Sequence, residues 1–306
     1  MSRAKIDFQT LLNSRFGTSA ALAVGRGLPS WLGKPLARLT ADVLAGRKGN
    51  SLVRGLRANL WVATGCTLNS EELDRLVVQT FRRHTRSLWD FYHNLNRPNK
   101  VLELVDFSPQ FQQLFDQARE DRQPRLILIV HTGNFELAGR SLALRGLDFQ
   151  ILSFPQPPGG YQLQNKIRQE SGIESTPMSV EAFQKARERL RHGGTVLTGV
   201  DRPLADSRRK VQFFGRPSPL PVAYVQLALQ TGASMVVAAC VSKPGGRYEI
   251  ISMPPVEALS YGERDADLVR NAEAILQMAE QIIRPRPTDW SMFYPIWPEI
   301  EKEIPV

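Results

Sequence analysis

Residues 126–136 read LILIVHTGNFE, and this stretch decides the fold class. Its first five residues are all aliphatic, which is typical of a β-strand that is buried on both faces. His131 follows directly, and Gly133 and Asn134 then mark a loop before a segment with helical character over residues 135–145. A doubly buried strand that leads into a helix predicts a parallel sheet with helices packed on it.

The chain beyond residue 145 repeats this alternation of strands and helices. Strands are predicted at residues 149–153, 195–200, 211–214, 234–241 and 247–251, and helices at 161–171, 180–192, 219–231 and 265–283. Two more helices are predicted upstream, over residues 70–95 and 108–120. We therefore expect an α/β fold with a mostly parallel central sheet flanked by helices.

Charge is concentrated at the start of this 306-residue chain. The net charge is +9, and residues 1–66 contain ten basic and two acidic residues, so the remainder is nearly neutral. Apolar residues recur at helical spacing over residues 20–28 and 31–44, with Trp31 among them and cations alongside. This pattern favours a region that lies on an anionic membrane surface, the alternative being helices packed on their own domain with a solvated basic face. Nucleic acid is not expected, because no recognition motif accompanies the charge.

These features predict two regions and exclude several classes of protein. Residues 1–66 form the basic amphipathic region, and residues 67–306 form the α/β domain, whose first part, about 67–120, is helical. We expect no secretory signal, and no run of 18 apolar residues predicts a transmembrane helix. Two cysteines cannot build a disulfide framework. The sequence has no G-x-S-x-G and no Cys/His cluster with zinc spacing, so neither a serine hydrolase elbow nor a metal site is expected.

Chemistry is expected where the predicted strands end. His131 ends one strand and Glu136 begins the next helix, so the imidazole could accept a proton while the carboxylate fixes its tautomer. The alternative is a structural histidine, with Glu136 offsetting the helix dipole. Asp201 also ends a predicted strand, and the basic stretch from Arg202 to Lys210 suits an anionic substrate.

These residues occur in an order that resembles the late acyltransferases of lipid A biosynthesis, within the wider lysophospholipid acyltransferase superfamily. Residues 131–136, HTGNFE, resemble the family's H-x4-D/E motif, with Phe135 where tryptophan is usual. An Arg168 followed closely by Gly172 resembles the second block. Residues 199–201, GVD, and 213–218, FFGRPS, resemble the third, although the second acid of its D-Q-D segment is missing. Asp289 and Trp290 resemble the family's end.

The resemblance implies a fold like that of the glycerolphosphate acyltransferases and transfer of a fatty acyl chain to a lipid or glycolipid hydroxyl. His131 would be the general base and Glu136 the acid that orients it. The acyl donor would be a thioester of acyl-carrier protein or coenzyme A, with no further cofactor and no metal. The expected location is the cytoplasmic face of the bacterial inner membrane. Residues expected to bind substrate are Gly133, Asn134, Arg168, Asp201, Arg202, Phe214, Gly215 and Arg216. Two alternatives are a non-catalytic lipid-binding protein of the same fold and a lipid or thioester hydrolase.

Overall fold

The structure is a computed structural model, which describes residues 15–157, 159–204 and 209–305. From residue 15 to residue 104, the described part of the chain contains five helices and no strand. They are α1 (Arg15–Gly27), α2 (Ser30–Ala45), α3 (Ser51–Ala63), α4 (Ser70–Asn94) and α5 (Pro98–Leu104). The Asn69 side chain accepts from Glu72 N–H, and the Glu72 carboxylate accepts from Asn69 N–H, so a capping box starts α4. Within the described residues, no helix is both long enough and apolar enough to cross a membrane.

The α/β part begins at residue 105. Its strands are β1 (Val105–Phe107), β2 (Arg125–Val130), β3 (Phe149–Ser153), β4 (Glu174–Pro177), β5 (Thr195–Gly199), β6 (Val211–Phe213), β7 (Arg216–Ser218), β8 (Ser234–Ser242) and β9 (Tyr248–Ser252). Its helices are α6 (Pro109–Glu120), α7 (Phe135–Leu144), α8 (Gly159–Glu170), α9 (Val180–Arg191), α10 (Ala223–Thr231) and α11 (Arg264–Ile283).

Seven of these strands form the central sheet, in the order β1-β9-β8-β2-β5-β3-β4. The five strands from β8 to β4 are parallel to one another, whereas β9 pairs antiparallel with β8. Strands β6 and β7 form a separate antiparallel hairpin. The sheet is therefore mostly parallel and flanked by helices, and the predicted fold class is confirmed. The carboxyl ends of β2 and β5 lie side by side at its centre.

Strand β2 is covered on both faces, as its aliphatic run predicts. Leu126 and Leu128 join a core with α3, α9, α10 and α11, whereas Ile127 points into a second core with α6 and α7. Helix α3 supplies Leu56 and other fully buried side chains to the first core. Among the described residues up to 66, the large apolar side chains that stay exposed belong to α1 and α2.

Several element bounds differ from the predicted ones for local reasons. The helix predicted from residue 219 begins at Ala223, because Pro221 disfavours helical geometry at Leu220. Strands β1, β4 and β7 have three or four residues each and were not predicted. Segments this short give no readable alternation of apolar and polar residues.

Candidate active site

His131 and Asp201 come together because their strands are neighbours. Strand β2 pairs with β5 so that Ile129 faces Gly199, and His131 and Asp201 each follow two residues later. His131 Nδ1 lies 2.5 Å from Asp201 Oδ1, and the His131 backbone N–H donates to Oδ2 over 2.9 Å. Because an ionised carboxylate only accepts, Nδ1 carries the proton of the neutral ring, and Nε2 keeps its lone pair.

Gly199 makes room for this histidine. A Cβ at Gly199 would lie 2.6 Å from His131 Cε1, closer than packed carbon atoms can approach. The imidazole therefore lies over the last residue of β5, a position that a larger residue would block. The sequence shows a glycine before Val200 and Asp201. That this glycine leaves space for the His131 ring can be recognised only once β2 and β5 are known to be adjacent.

The Asp201 carboxylate receives a third hydrogen bond, from Trp290 Nε1 over 2.8 Å. Burial alone would raise the pKa of this fully buried acid, but the His131 imidazole and the donated hydrogen bonds outweigh it and hold the pKa below its ordinary value. Asp201 is therefore ionised under the hydrogen-bonded imidazole. The sequence marks Trp290 only through its resemblance to the end of the family pattern, which does not predict its hydrogen bond to Asp201.

The segment around Trp290 also holds the loop after β2. Ser291 N–H donates to the His131 carbonyl over 2.9 Å, and Gly133 N–H donates to the Asp289 carbonyl over 2.8 Å. The Asp289 carboxylate is itself fixed by Arg83 Nη1 at 2.5 Å. The backbone from His131 to Gly133 is thus tied to a segment about 160 residues away in sequence.

Glu136 does not orient His131, contrary to the expectation from sequence. Its carboxylate forms a two-pronged ion pair with Arg168, whose Nε lies 3.0 Å from Oε2 and whose Nη2 contacts Oε1. Arg168 Nη1 also donates to Asn165 Oδ1. The carboxylate that contacts His131 Nδ1 is that of Asp201. Glu136 and Arg168 instead join α7 to α8 along the wall of the site.

Gly133 and Asn134 have structural roles in the loop after His131. Gly133 adopts a φ of +54°, and a Cβ there would collide with the Cys240 carbonyl, so the residue permits a close approach to β8. Asn134 Oδ1 accepts from Leu137 N–H as the cap of α7, and its Nδ2 donates to the Ser87 carbonyl. The Gly133 N–H and the Asn134 side-chain amide therefore already have hydrogen-bond partners within the protein, whereas a role in substrate binding would need them free.

Phe214, Gly215 and Arg216 lie in the β6–β7 hairpin and do not line the cavity beside His131. The Phe214 ring packs on Trp290, with 5.9 Å between ring centroids, so it supports the site indirectly. Gly215 has a φ of +71° in the tight turn. Arg216 pairs with Glu303 at the surface, over 3.3 Å. The structure thus assigns packing and surface contacts to three residues predicted to bind substrate.

A cavity of about 320 Å³ opens beside the histidine. It extends from the carboxyl ends of β2 and β5 along the sheet, under α4, α7 and α8. Its walls are mainly apolar, and they include Leu88, Phe111, Ile127, Leu142, Leu197 and Ile250. His131, Glu136, Arg168 and Arg202 line the same space. Such a shape and polarity suit a long aliphatic chain with a reacting polar end.

Two further ionisable residues, His84 and Cys240, lie in the cavity wall, and no sequence motif marks either of them. His84 lines the cavity from α4 and packs edge-on against Phe293, and burial lowers its pKa to about 4. Cys240 lines it from β8, and burial raises the pKa of its thiol to about 12. His84 is therefore neutral near pH 7, and Cys240 is a protonated thiol that is not suited to act as a nucleophile.

The basic residues that follow Asp201 lie in different places in the structure. Arg202 lines the cavity, whereas Arg209 pairs with Asp265 at the surface, over 2.6 Å. Arg208 lies outside the described residues.

Comparison with known proteins gives a consistent assignment. A family model described as bacterial lipid A biosynthesis acyltransferase matches residues 7–299. A phosphatidylinositol mannoside acyltransferase of Mycobacterium tuberculosis is 28% identical over 176 residues, covering 56% of this chain and 54% of that protein. One of the same name from Mycolicibacterium smegmatis is 24% identical over 176 residues, covering 56% of each. The chain spans about half the length of these curated relatives. Because the family model covers nearly all of it, the chain belongs to the bacterial lipid A biosynthesis acyltransferase family.

Proposed function

We propose that this protein transfers an acyl chain from a thioester to a hydroxyl group of a glycolipid. The observation that carries the proposal is the His131–Asp201 pair, in which a buried, ionised carboxylate holds Nδ1 beside an apolar cavity. Family membership and the names of the relatives support acyl transfer as the reaction.

In the proposed reaction, His131 Nε2 removes the proton of the acceptor hydroxyl as its oxygen attacks the thioester carbonyl carbon. A carbon–oxygen bond forms, and Asp201 stabilises the resulting imidazolium. The tetrahedral intermediate then collapses, the carbon–sulfur bond breaks, and the imidazolium returns the proton to the leaving thiolate. The acceptor attacks directly, so the reaction needs no enzyme nucleophile and no metal ion.

The oxyanion of the intermediate needs donors other than Gly133, whose N–H is bound to Asp289. Within the described part of the chain, the N–H groups of Phe135 and Glu136 have no hydrogen-bond partner, and both residues line the cavity. They form the first turn of α7, where the helix dipole favours negative charge. We assign the oxyanion to this turn.

The proposed acceptor is a sugar hydroxyl of a membrane glycolipid. The relatives are named for acylation of phosphatidylinositol mannoside, and the family is named for lipid A. Both are glycolipids that carry phosphate, so we propose an acceptor of this chemical class. The donor would be a thioester of acyl-carrier protein or coenzyme A, as the resemblance implied.

Helices α1 and α2 would place the protein on the cytoplasmic face of a bacterial inner membrane. Phe16 and Trp31 are each 76% exposed. They belong to a larger set of exposed apolar side chains, which we call the N-terminal apolar surface: Phe16, Val24, Trp31, Leu32, Leu36, Leu39 and Val43. The exposed cations Arg26, Lys34 and Arg38 lie among them, which suits anionic headgroups. Thr18, on the same helix as Phe16, lines the cavity, so bilayer lipids would be close to it.

The proposed chemistry is tested by substituting the two members of the pair. We expect His131→Gln to reduce acyl transfer to background and Asp201→Asn to reduce it about 10⁴-fold, because the ring loses its fixed tautomer. His192→Gln is the matched control, since that histidine lies exposed at the end of α9. The measurement is the rate of ester formation with an acyl thioester and a glycolipid, with circular dichroism to verify folding. Full turnover of the His131 variant would contradict the mechanism.

The same assay separates the two alternative functions. A hydrolase would release free fatty acid at the same rate with or without glycolipid, and a lipid-binding protein would consume no thioester. Acyl transfer instead predicts thioester loss that depends on acceptor and equals ester gained.

A further inference from the structure

Arg202 is held in an unusual setting beside the active site. Its guanidinium carbon lies 3.9 Å from the centre of the Phe154 ring, 4.1 Å from that of Tyr294 and 4.7 Å from that of Tyr161. Nη1 also donates to the Tyr161 hydroxyl over 2.6 Å. The three rings come from separate parts of the chain: the end of β3, the start of α8 and the C-terminal region. We call these four residues the Arg202 cage.

The Arg202 cage contains the positive charge of the guanidinium but no negatively charged group. Within the described residues, no carboxylate lies within 4 Å of the Arg202 guanidinium, and its only hydrogen bond is the one to Tyr161. The other two arginines predicted to bind substrate differ, since Arg168 is paired with Glu136 and Arg216 with Glu303. Aromatic faces attract a cation but cannot accept the remaining guanidinium N–H bonds.

The position of the cage ties it to the reaction. Arg202 directly follows Asp201, and Arg202 and His131 line the same cavity. An anion bound to the guanidinium would therefore lie within the space where the acyl thioester and the acceptor meet. A planar guanidinium with free N–H groups matches the oxygens of a phosphate group, and the rings fix its orientation before the ligand arrives.

We propose that the Arg202 cage is the phosphate-binding site of this cavity. Its ligand is a phosphate mono- or diester carried by one of the two substrates, either the phosphopantetheine arm of the donor or the phosphate of the acceptor glycolipid. The proposal rests on the acyl-transfer function proposed above and deepens it. Phosphate binding would fix one substrate relative to His131, while the apolar cavity holds its chain.

The test compares Arg202→Gln with the parent protein on paired substrates. Two donors are used, an acyl-phosphopantetheine and the acyl-pantetheine without phosphate. Two acceptors are used, a phosphoglycolipid and the same glycan on diacylglycerol. We expect the substitution to raise KM at least tenfold for the phosphate form of one substrate, with kcat within about threefold, and to leave KM for its phosphate-free form unchanged. The affected pair identifies which substrate carries the phosphate.

Arg284→Gln is the matched control, because Arg284 also lies over an aromatic ring, that of Phe214, but does not line the cavity. Arg202→Lys retains the charge without the planar donor group, so an intermediate rise in KM is expected. An equal loss with all four substrate combinations would overturn the proposal and leave the cage a purely structural one. So would unchanged kinetics in the glutamine variant.

A binding measurement tests the phosphate site independently of whether the protein transfers acyl groups. Protection from thermal unfolding by phosphopantetheine and by the phosphoglycolipid is measured against the phosphate-free form of each. We expect protection by one phosphate form to be lost in Arg202→Gln, whether or not the protein turns over. Absence of transfer in the parent protein with this protection intact would contradict only the proposed function. Equal protection of parent and variant would contradict the phosphate site.

Discussion

At the scale of single residues, His84 links the cavity to the pH dependence of stability. Burial lowers its pKa to about 4 from an ordinary value of 6.5. Between these values the unfolded chain binds a proton that the folded protein does not, so acid favours unfolding and stability rises with pH. The Asp201 pKa is also lowered, but from 3.8, so its contribution is lost only below that window.

We therefore expect His84→Gln to flatten the dependence of unfolding free energy on pH between pH 4 and 6.5. The parent slope should exceed that of the variant by up to about 1.4 kcal/mol per pH unit. Urea unfolding at several pH values measures it. His192→Gln removes an exposed histidine and should leave the slope unchanged. The same slope in parent and His84 variant would show that this imidazole is not held neutral.

Single residues also show how far the sequence alone could reach. His131 was identified because a polar residue directly follows an aliphatic strand, and the family motif marks it too. The orienting acid was assigned to Glu136 because Glu136 is close in sequence. The carboxylate that contacts His131 is that of Asp201, and it does so because β2 and β5 are neighbours. The order of strands in a sheet cannot be predicted from the local spacing of apolar residues. Trp290 is even further from His131 in sequence, and it reaches Asp201 only through the tertiary packing of the C-terminal region.

At the scale of secondary-structure elements, the Glu136–Arg168 pair joins α7 to α8. Both side chains are mostly buried, with 13% and 12% exposed. Removing one charge would leave the other without a partner in a low-dielectric wall. We expect Glu136→Gln to lower the unfolding free energy by about 3 kcal/mol. Urea denaturation measures the change.

Two variants make that expectation specific. The double variant Glu136→Gln/Arg168→Met should recover part of the loss, since it leaves no unpaired charge. Lys166→Gln breaks a surface pair with Glu170 on the same helix, and should cost no more than about 1 kcal/mol. If the Lys166 and Glu136 variants were equally destabilised, the buried pair would not be what holds the two helices together.

At the scale of the whole molecule, the N-terminal apolar surface predicts binding to vesicles. Phe16→Ala/Trp31→Ala should weaken partitioning onto phosphatidylglycerol-containing vesicles at least about tenfold, because two large exposed apolar side chains are removed. Binding should also weaken as salt is raised, since the exposed cations Lys34 and Arg38 would face the anionic headgroups. Co-sedimentation measures both effects.

The control for vesicle binding is Val180→Ala, which removes another exposed apolar side chain, 70% exposed, from α9. It should bind as the parent does. Equal weakening in both variants would contradict a docking surface on α1 and α2. Point substitutions are needed here, because deletion of residues 1–66 would also remove α3, whose side chains fill the main core.

The cross-links between the β2 loop and residues 289–291 have a consequence for the life of the nascent chain. His131, Asp201 and Trp290 are joined in space but spread over 160 positions, so no early stretch emerging from the ribosome holds a working centre. Contacts of such long sequence separation also form late in folding. The newly made protein would therefore be unable to transfer acyl groups until residues 289–291 have packed against the β2 loop.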